Sequence, residues 1–167
     1  MKSIIATHSV NVYLKPGEVI VSRNPILVST ILGSCVAITM YSPSKNVGAI
    51  CHAVFPNNLN KEASLQYVDT AIRHIYRKMT EYGGIAGMAV KLFGGARVLN
   101  SDYSDNRKSI GELNVLQAKN TLLHLDLQIA REDVGGSRGR KLLFSIKTGD
   151  VHLRRLSLTG NVFCAGE

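Results

Sequence analysis

The chain has 167 residues, with 20 Lys+Arg against 12 Asp+Glu for a formal charge of +8, and 45% of its residues are hydrophobic. That length suits one domain with its own core, and the composition excludes a disordered chain, a collagen-like repeat and a coiled coil. The longest nearly apolar run, Ile31 to Tyr41, is broken by Gly33, Ser34 and Thr39; it falls short of the roughly 20 residues that cross a bilayer, so no membrane insertion is expected. The first residues lack the apolar stretch of a secretory signal, which places the expected location in the cytoplasm. Cys35, Cys51 and Cys164 form no CxxC pair, so neither a disulfide framework nor a zinc ribbon is expected, and no metal or cofactor is called for. The basic excess would suit a nucleic acid, but it comes without a docking motif and with only 6% aromatic residues; no nucleic-acid partner is expected.

In chain order, Ser9 to Leu14 and Glu18 to Ser22 alternate as short strands around the Pro16-Gly17 turn. Ile26 to Tyr41 reads as two strands joined at a kink at Gly33-Ser34, and Val47 to Val54 returns as the second arm of a hairpin. Leu65, Val68, Ile72, Ile75 and Met79 step by threes and fours and predict a helix over 62–82, stopped by Gly83-Gly84. Met88 to Phe93 is a strand, 97–109 a polar loop, and 111–125 a second helix with a less regular stripe. Leu127 to Arg131, Leu142 to Ile146 and Val151 to Leu156 complete the strands, with a glycine-rich loop over 133–139. Strand-rich ends around two helices point to a mixed α/β (α+β) layer fold, with a single domain over 1–160 and a loose tail over 161–167.

The chemistry gathers in the hairpin. With its turn at 42–45, Cys35 stands opposite His52; a turn one residue longer moves the pair one register apart. Either way a thiol and an imidazole sit on neighbouring strands. A cysteine is nucleophilic as thiolate, and a nearby histidine can take its proton and later protonate a leaving amine. Gly33 and Ser34 give a slim backbone before Cys35, whose N–H groups could face a developing oxyanion. The plain alternative is a core cysteine beside a hydrogen-bonded histidine, and spacing alone leaves both open.

Leu32-Gly33-Ser34-Cys35-Val36-Ala37 and Gly48-Ala49-Ile50-Cys51-His52-Ala53-Val54-Phe55-Pro56 resemble the signature of the CheD-type chemoreceptor glutamine deamidases. In the same order, Tyr67, Asp69, Ala71 and Ile72 resemble that family's helix motif, and Lys91 to Ala96 its KxFGGA segment. Ile110-Gly111-Glu112 with Asn114-Val115, and Asp133 to Gly136 with Gly139-Arg140-Lys141, resemble two later ones.

The resemblance implies a layered sandwich of mixed β-sheets flanked by helices, in a cysteine-hydrolase architecture of the deamidase-toxin type. It implies hydrolysis of glutamine side chains on the cytoplasmic helical bundles of chemoreceptors, with Cys35 as nucleophile and His52 as general acid and base. The family's third catalytic residue, a threonine six positions before the cysteine, falls on Ser29, with Thr30 next door as the reserve. Gly33, Ser34 and Thr30 become the expected oxyanion and substrate-binding positions. Leu113 departs from the family's arginine. Cys51 should face away from His52 on the opposite side of its strand. Gly94-Gly95 and Gly135-Gly136 read either as turns needing positive φ or as places where substrate backbone comes close. Over 131–155, seven basic residues against three acidic ones suggest a basic rim that would speed encounter with an acidic receptor. The same resemblance admits a second function, a regulatory module that partners a CheC-type chemotaxis phosphatase.

Overall fold

A computed structural model describes residues 1–98 and 107–157. The expected polar loop lies partly, and the expected tail with Cys164 wholly, outside these residues. In chain order the described elements are α1 (Lys2–Ala6), β1 (Asn11–Tyr13), β2 (Val19–Ser22), β3 (Leu27–Leu32), β4 (Val36–Ser42), β5 (Val47–Ala53), α2 (Val68–Glu81), β6 (Ala89–Gly94), α3 (Ile110–His124), β7 (Ile129–Val134), β8 (Arg140–Ser145) and β9 (Val151–Arg155).

The strands form two mixed sheets, one ordered β1-β3-β8-β9 and the other β2-β5-β4-β6-β7. One core fills the space between the sheets, with Val28, Leu32, Ala37, Ile50, Phe93 and Phe144 among its residues. A second lies between the five-stranded sheet and the helices, where Ile38, Ala49, Cys51, Ile72, Ile75 and Leu92 pack. The layers therefore run sheet, sheet, helices, and the chain is a single α+β domain as expected. Because β4 and β5 are covered on both faces, every residue in them is buried, which is why they read as near-continuous apolar runs. Among the described residues no helix is long and apolar enough to cross a membrane.

Three elements differ from expectation. The short α1 carries no buried residue and so left no apolar stripe to find. The helix expected from residue 62 begins at Val68, because the preceding backbone is extended. Val54 N–H and Phe55 N–H both donate to the Gln66 carbonyl, and Val68 N–H donates to Phe55, so residues 66 and 67 run beside Phe55 instead of coiling. The third difference is the hairpin register: Ser42 pairs with Val47 and Ala37 with His52. The turn is 43–46, one residue later than expected, with Asn46 at φ 49° as its left-handed residue.

Helix α3 is fastened by a capping box, Ser109 Oγ accepting from Glu112 N–H at 3.2 Å and Glu112 Oε2 from Ser109 N–H at 2.6 Å. Its first turn packs on the chain after β6. A Cβ on Gly111 would come within 2.6 Å of the Gly95 and Ala96 carbonyl oxygens, and one on Gly94, at φ +107°, within 2.2 Å of the Cys35 carbonyl oxygen. The close approach at Gly94-Gly95 is thus by the chain's own backbone.

Replacing Gly94 by alanine combines left-handed strain with a backbone collision and should cost about 3 kcal/mol or more. At roughly 2–4 °C per kcal/mol for a chain this size, the melting midpoint should fall by about 10 °C. Gly87→Ala is the control, with φ +69° and nothing within 4 Å of the added Cβ; its cost should stay near the ~1–2 kcal/mol of the conformation alone. Equal midpoints in calorimetry would refute the close-approach account.

Candidate active site

Cys35 lies at the turn from β3 into β4, half-buried together with Gly33 and Ser34. His52 sits in β5 opposite Ala37 and is 1% exposed. Cys35, two residues before Ala37, is therefore diagonal to His52 and not directly opposite it. Both belong to the sheet face that meets the second sheet: Cys35 packs against the inter-sheet core, and His52 bonds to a residue of that sheet. Diagonal partners of this kind share a face with backbones about 7–8 Å apart, and the imidazole is the longer of the two side chains. Cys51 alternates to the other face and packs toward the helices, where burial pushes its thiol up to about 12, far from a reactive thiolate.

The residue that meets His52 is Thr30. Its Oγ1 lies 2.8 Å from His52 Nδ1 and donates to the Leu14 carbonyl, also at 2.8 Å. A hydroxyl has one proton. With that proton given to Leu14, Thr30 can only accept from His52, so Nδ1 carries the hydrogen and Nε2 keeps its lone pair. Nε2 is buried with no hydrogen-bond partner among the described residues.

Of the two hydroxyls expected near the site, Thr30, held in reserve, is the one that contacts His52. Along β3, Val28 and Leu32 face the inter-sheet core and buried Thr30 shares their side, so strand alternation turns Ser29 to the other face. Thr30 in turn acts on the imidazole and is not at the Gly33-Ser34 turn. Counting residues along the chain gave Ser29; the parity of the strand selects its neighbour.

Desolvation draws the His52 imidazole down to about 4, against the pull of the Leu14 carbonyl and the charge of Glu18. It is neutral at physiological pH, in the form that accepts a proton at Nε2.

The basic rim is smaller than its composition suggested. Arg140 is 1% exposed, with its Nε 3.1 Å from Asp133 and its Nη2 donating to the Gly135 carbonyl at 2.7 Å. Arg155 reaches the same Asp133 at 2.9 Å. These arginines on β8 and β9 tie one sheet to β7 of the other. Sequence reasoning named Asn114 within a family-like motif but gave it no role; it is wholly buried on α3.

A family model described as CheD chemotactic sensory transduction matches residues 54–155. A relative from Geobacter sulfurreducens, called probable chemoreceptor glutamine deamidase CheD 2, is 41% identical over 89% of this chain and 92% of its own. Another from Maridesulfovibrio salexigens, called probable chemoreceptor glutamine deamidase CheD, is 44% identical over 87% of this chain and 91% of its own. Among solved structures, the Bacillus licheniformis hypothetical protein YfiH is similar at TM-score 0.44, with 13% identity over 72% of this chain and 50% of that one. The match over most of its length shows that this chain belongs to the CheD family.

Because His52 stays neutral when folded but titrates near 6.5 when unfolded, the unfolded chain takes up the extra proton as pH falls. Stability from this group is intact above about pH 6.5 and is lost on the way down to about 4, a change of about 3 kcal/mol. In urea titrations, wild type should lose that much relative to His52→Gln between pH 7 and pH 4. Parallel curves would mean the imidazole is not held neutral.

Proposed function

We propose that this chain is a protein-glutamine deamidase that converts glutamine side chains of chemoreceptor cytoplasmic helical bundles to glutamate, releasing ammonia. The observation that carries the mechanism is the Leu14–Thr30–His52 relay, which leaves Nε2 as a bare acceptor on the sheet face it shares with Cys35. The names of the relatives supply the substrate class.

In the first half-reaction the Cys35 sulfur attacks the carboxamide carbon while its proton passes to His52 Nε2. Backbone N–H groups of the Gly33–Cys35 turn hold the oxyanion. The C–N bond breaks, the imidazolium gives its proton to the departing amide nitrogen, and ammonia leaves a thioester. In the second, Nε2 takes a proton from water, the hydroxide adds to the thioester carbon, and sulfur leaves and recovers the proton. The sum is amide plus water giving acid plus ammonia. Thr30 holds the imidazole in the required tautomer throughout, the part an aspartate plays in serine hydrolases.

We place the reaction in the cytoplasm, where the receptor bundles lie, and retain a CheC-type phosphatase as a proposed regulatory partner of the same chain.

Mass spectrometry of receptor fragments incubated with the protein should show amide-to-acid conversion that Cys35→Ala abolishes. Thr30→Val should lower kcat by about a hundredfold, the low end of what a positioned general base contributes. Ser29→Ala should stay within about threefold, as expected for a substitution facing away from the site and costing ~0.5 kcal/mol or less. Conversion retained by Cys35→Ala would end the thioester mechanism. No conversion by wild type, with tight phosphatase binding, would leave the regulatory module.

A further inference from the structure

Asn114 reaches from α3 to the two strand ends that carry the reactive pair. Its Nδ2 donates to the Ser34 carbonyl and to the Val54 carbonyl, each at 2.9 Å. Ser34 immediately precedes Cys35, and Val54 follows His52 by two residues. The β4–β5 pairing ends at Val36 with Ala53, so one side-chain amide spans the strands just where their ladder has stopped.

The adjoining carbonyls are held too. Gly33 accepts from Ala96 N–H at 2.9 Å and Cys35 from Gly95 N–H at 2.8 Å. Each peptide unit is planar, so a bond to its carbonyl also fixes the N–H of the next residue. Three consecutive planes are therefore pinned from outside the strand, and the middle one, which includes the Cys35 nitrogen, is pinned by Asn114. The amide has one usable orientation, since reversing it would set Oδ1 against two carbonyl oxygens. In that orientation Oδ1 is buried with no hydrogen-bond partner among the described residues, so an acceptor is left unsatisfied while both donors are engaged. Gly111 lets the helix come close enough for a short side chain to span the gap.

We infer that Asn114 is a positioning residue, tying the Cys35 strand to the His52 strand so that the thiol can pass its proton to Nε2. The inference rests on the proposed Cys35–His52 chemistry and deepens it. It predicts a property that needs no receptor. With proton transfer to His52 available, alkylation of Cys35 by iodoacetamide should fall little between pH 8 and pH 5; without it, the rate should follow thiolate abundance, down about tenfold per unit.

The experiment reads alkylation of the Cys35 peptide by mass spectrometry across that range in wild type, His52→Ala, Asn114→Leu and Asn114→Ser, with circular dichroism on each. Wild type should be nearly flat and His52→Ala steep. Asn114→Leu should be nearly as steep, Asn114→Ser with one donor should fall between, and kcat on receptor fragments should drop by about a hundredfold with KM within about threefold. If Asn114→Leu does not fold, Asn114→Ser decides. A folded Asn114 variant with the flat wild-type profile overturns the inference and leaves the proposed function standing. A wild-type profile as steep as that of His52→Ala overturns the Cys35–His52 coupling and the positioning role with it.

Discussion

One buried hydroxyl organises the site. Thr30 is wholly buried between the sheets, where a polar group left unpaired is costly and a well-made hydrogen bond is strong. It has one proton and a fixed acceptor in the Leu14 carbonyl, and this leaves its oxygen to receive a hydrogen from His52. The protonation state of Nε2, two bonds across a ring, is thus decided by a carbonyl on a segment packed alongside another sheet. The four-stranded sheet supplies Thr30 and the five-stranded sheet supplies His52, so the relay exists only when the two are packed together. The Asp133–Arg140 and Asp133–Arg155 pairs join the same two sheets, and the apolar layer between them keeps water from competing for the hydroxyl.

The features legible in the sequence were those set by local pattern. The hairpin, the core helix and the opposite facing of Cys51 and His52 follow from periodicities of two and of about 3.6 along short stretches of chain, whereas the layered sandwich was implied by the family resemblance. The hairpin register was less accessible because it depends on which residue of the turn adopts the left-handed conformation. Pro43, Ser44, Lys45 and Asn46 are all acceptable turn residues; Asn46 takes that role, and the facing partners move by two positions from those expected. Ser29 and Thr30 are the same lesson at one-residue scale. A single step along a strand reverses the face, and the burial of Val28 and Leu32, not distance from the cysteine, settles which hydroxyl points inward.

What sequence could not supply was contact between distant segments. Asn114 acquires its meaning from carbonyls 80 and 60 residues away, and no local pattern encodes them. The glycines of the Phe93-Gly94-Gly95-Ala96 stretch are similar. Positive φ was foreseeable, but the reason for it is that Cys35 and the first turn of α3 crowd the same few atoms. Arg140 was counted with a basic surface because its neighbours in sequence are basic; its place on β8, paired with Leu32, puts it inside instead.

Burial of His52 carries an apparent contradiction, since an imidazole titrating near 4 is a weak base for drawing a proton from a thiol. The low value describes the resting imidazole, whose charged form would have to stand in a desolvated position. In the proposed mechanism the thiol proton arrives as negative charge develops on sulfur and then on the amide oxygen, and an ion pair in a low-dielectric cleft is far better than a lone cation there. Glu18 and the Leu14 carbonyl already favour the cation, and Thr30 keeps the second nitrogen occupied. Under that proposal the site rests uncharged, at little cost to the fold, and separates charge only when a carboxamide is in place to receive it.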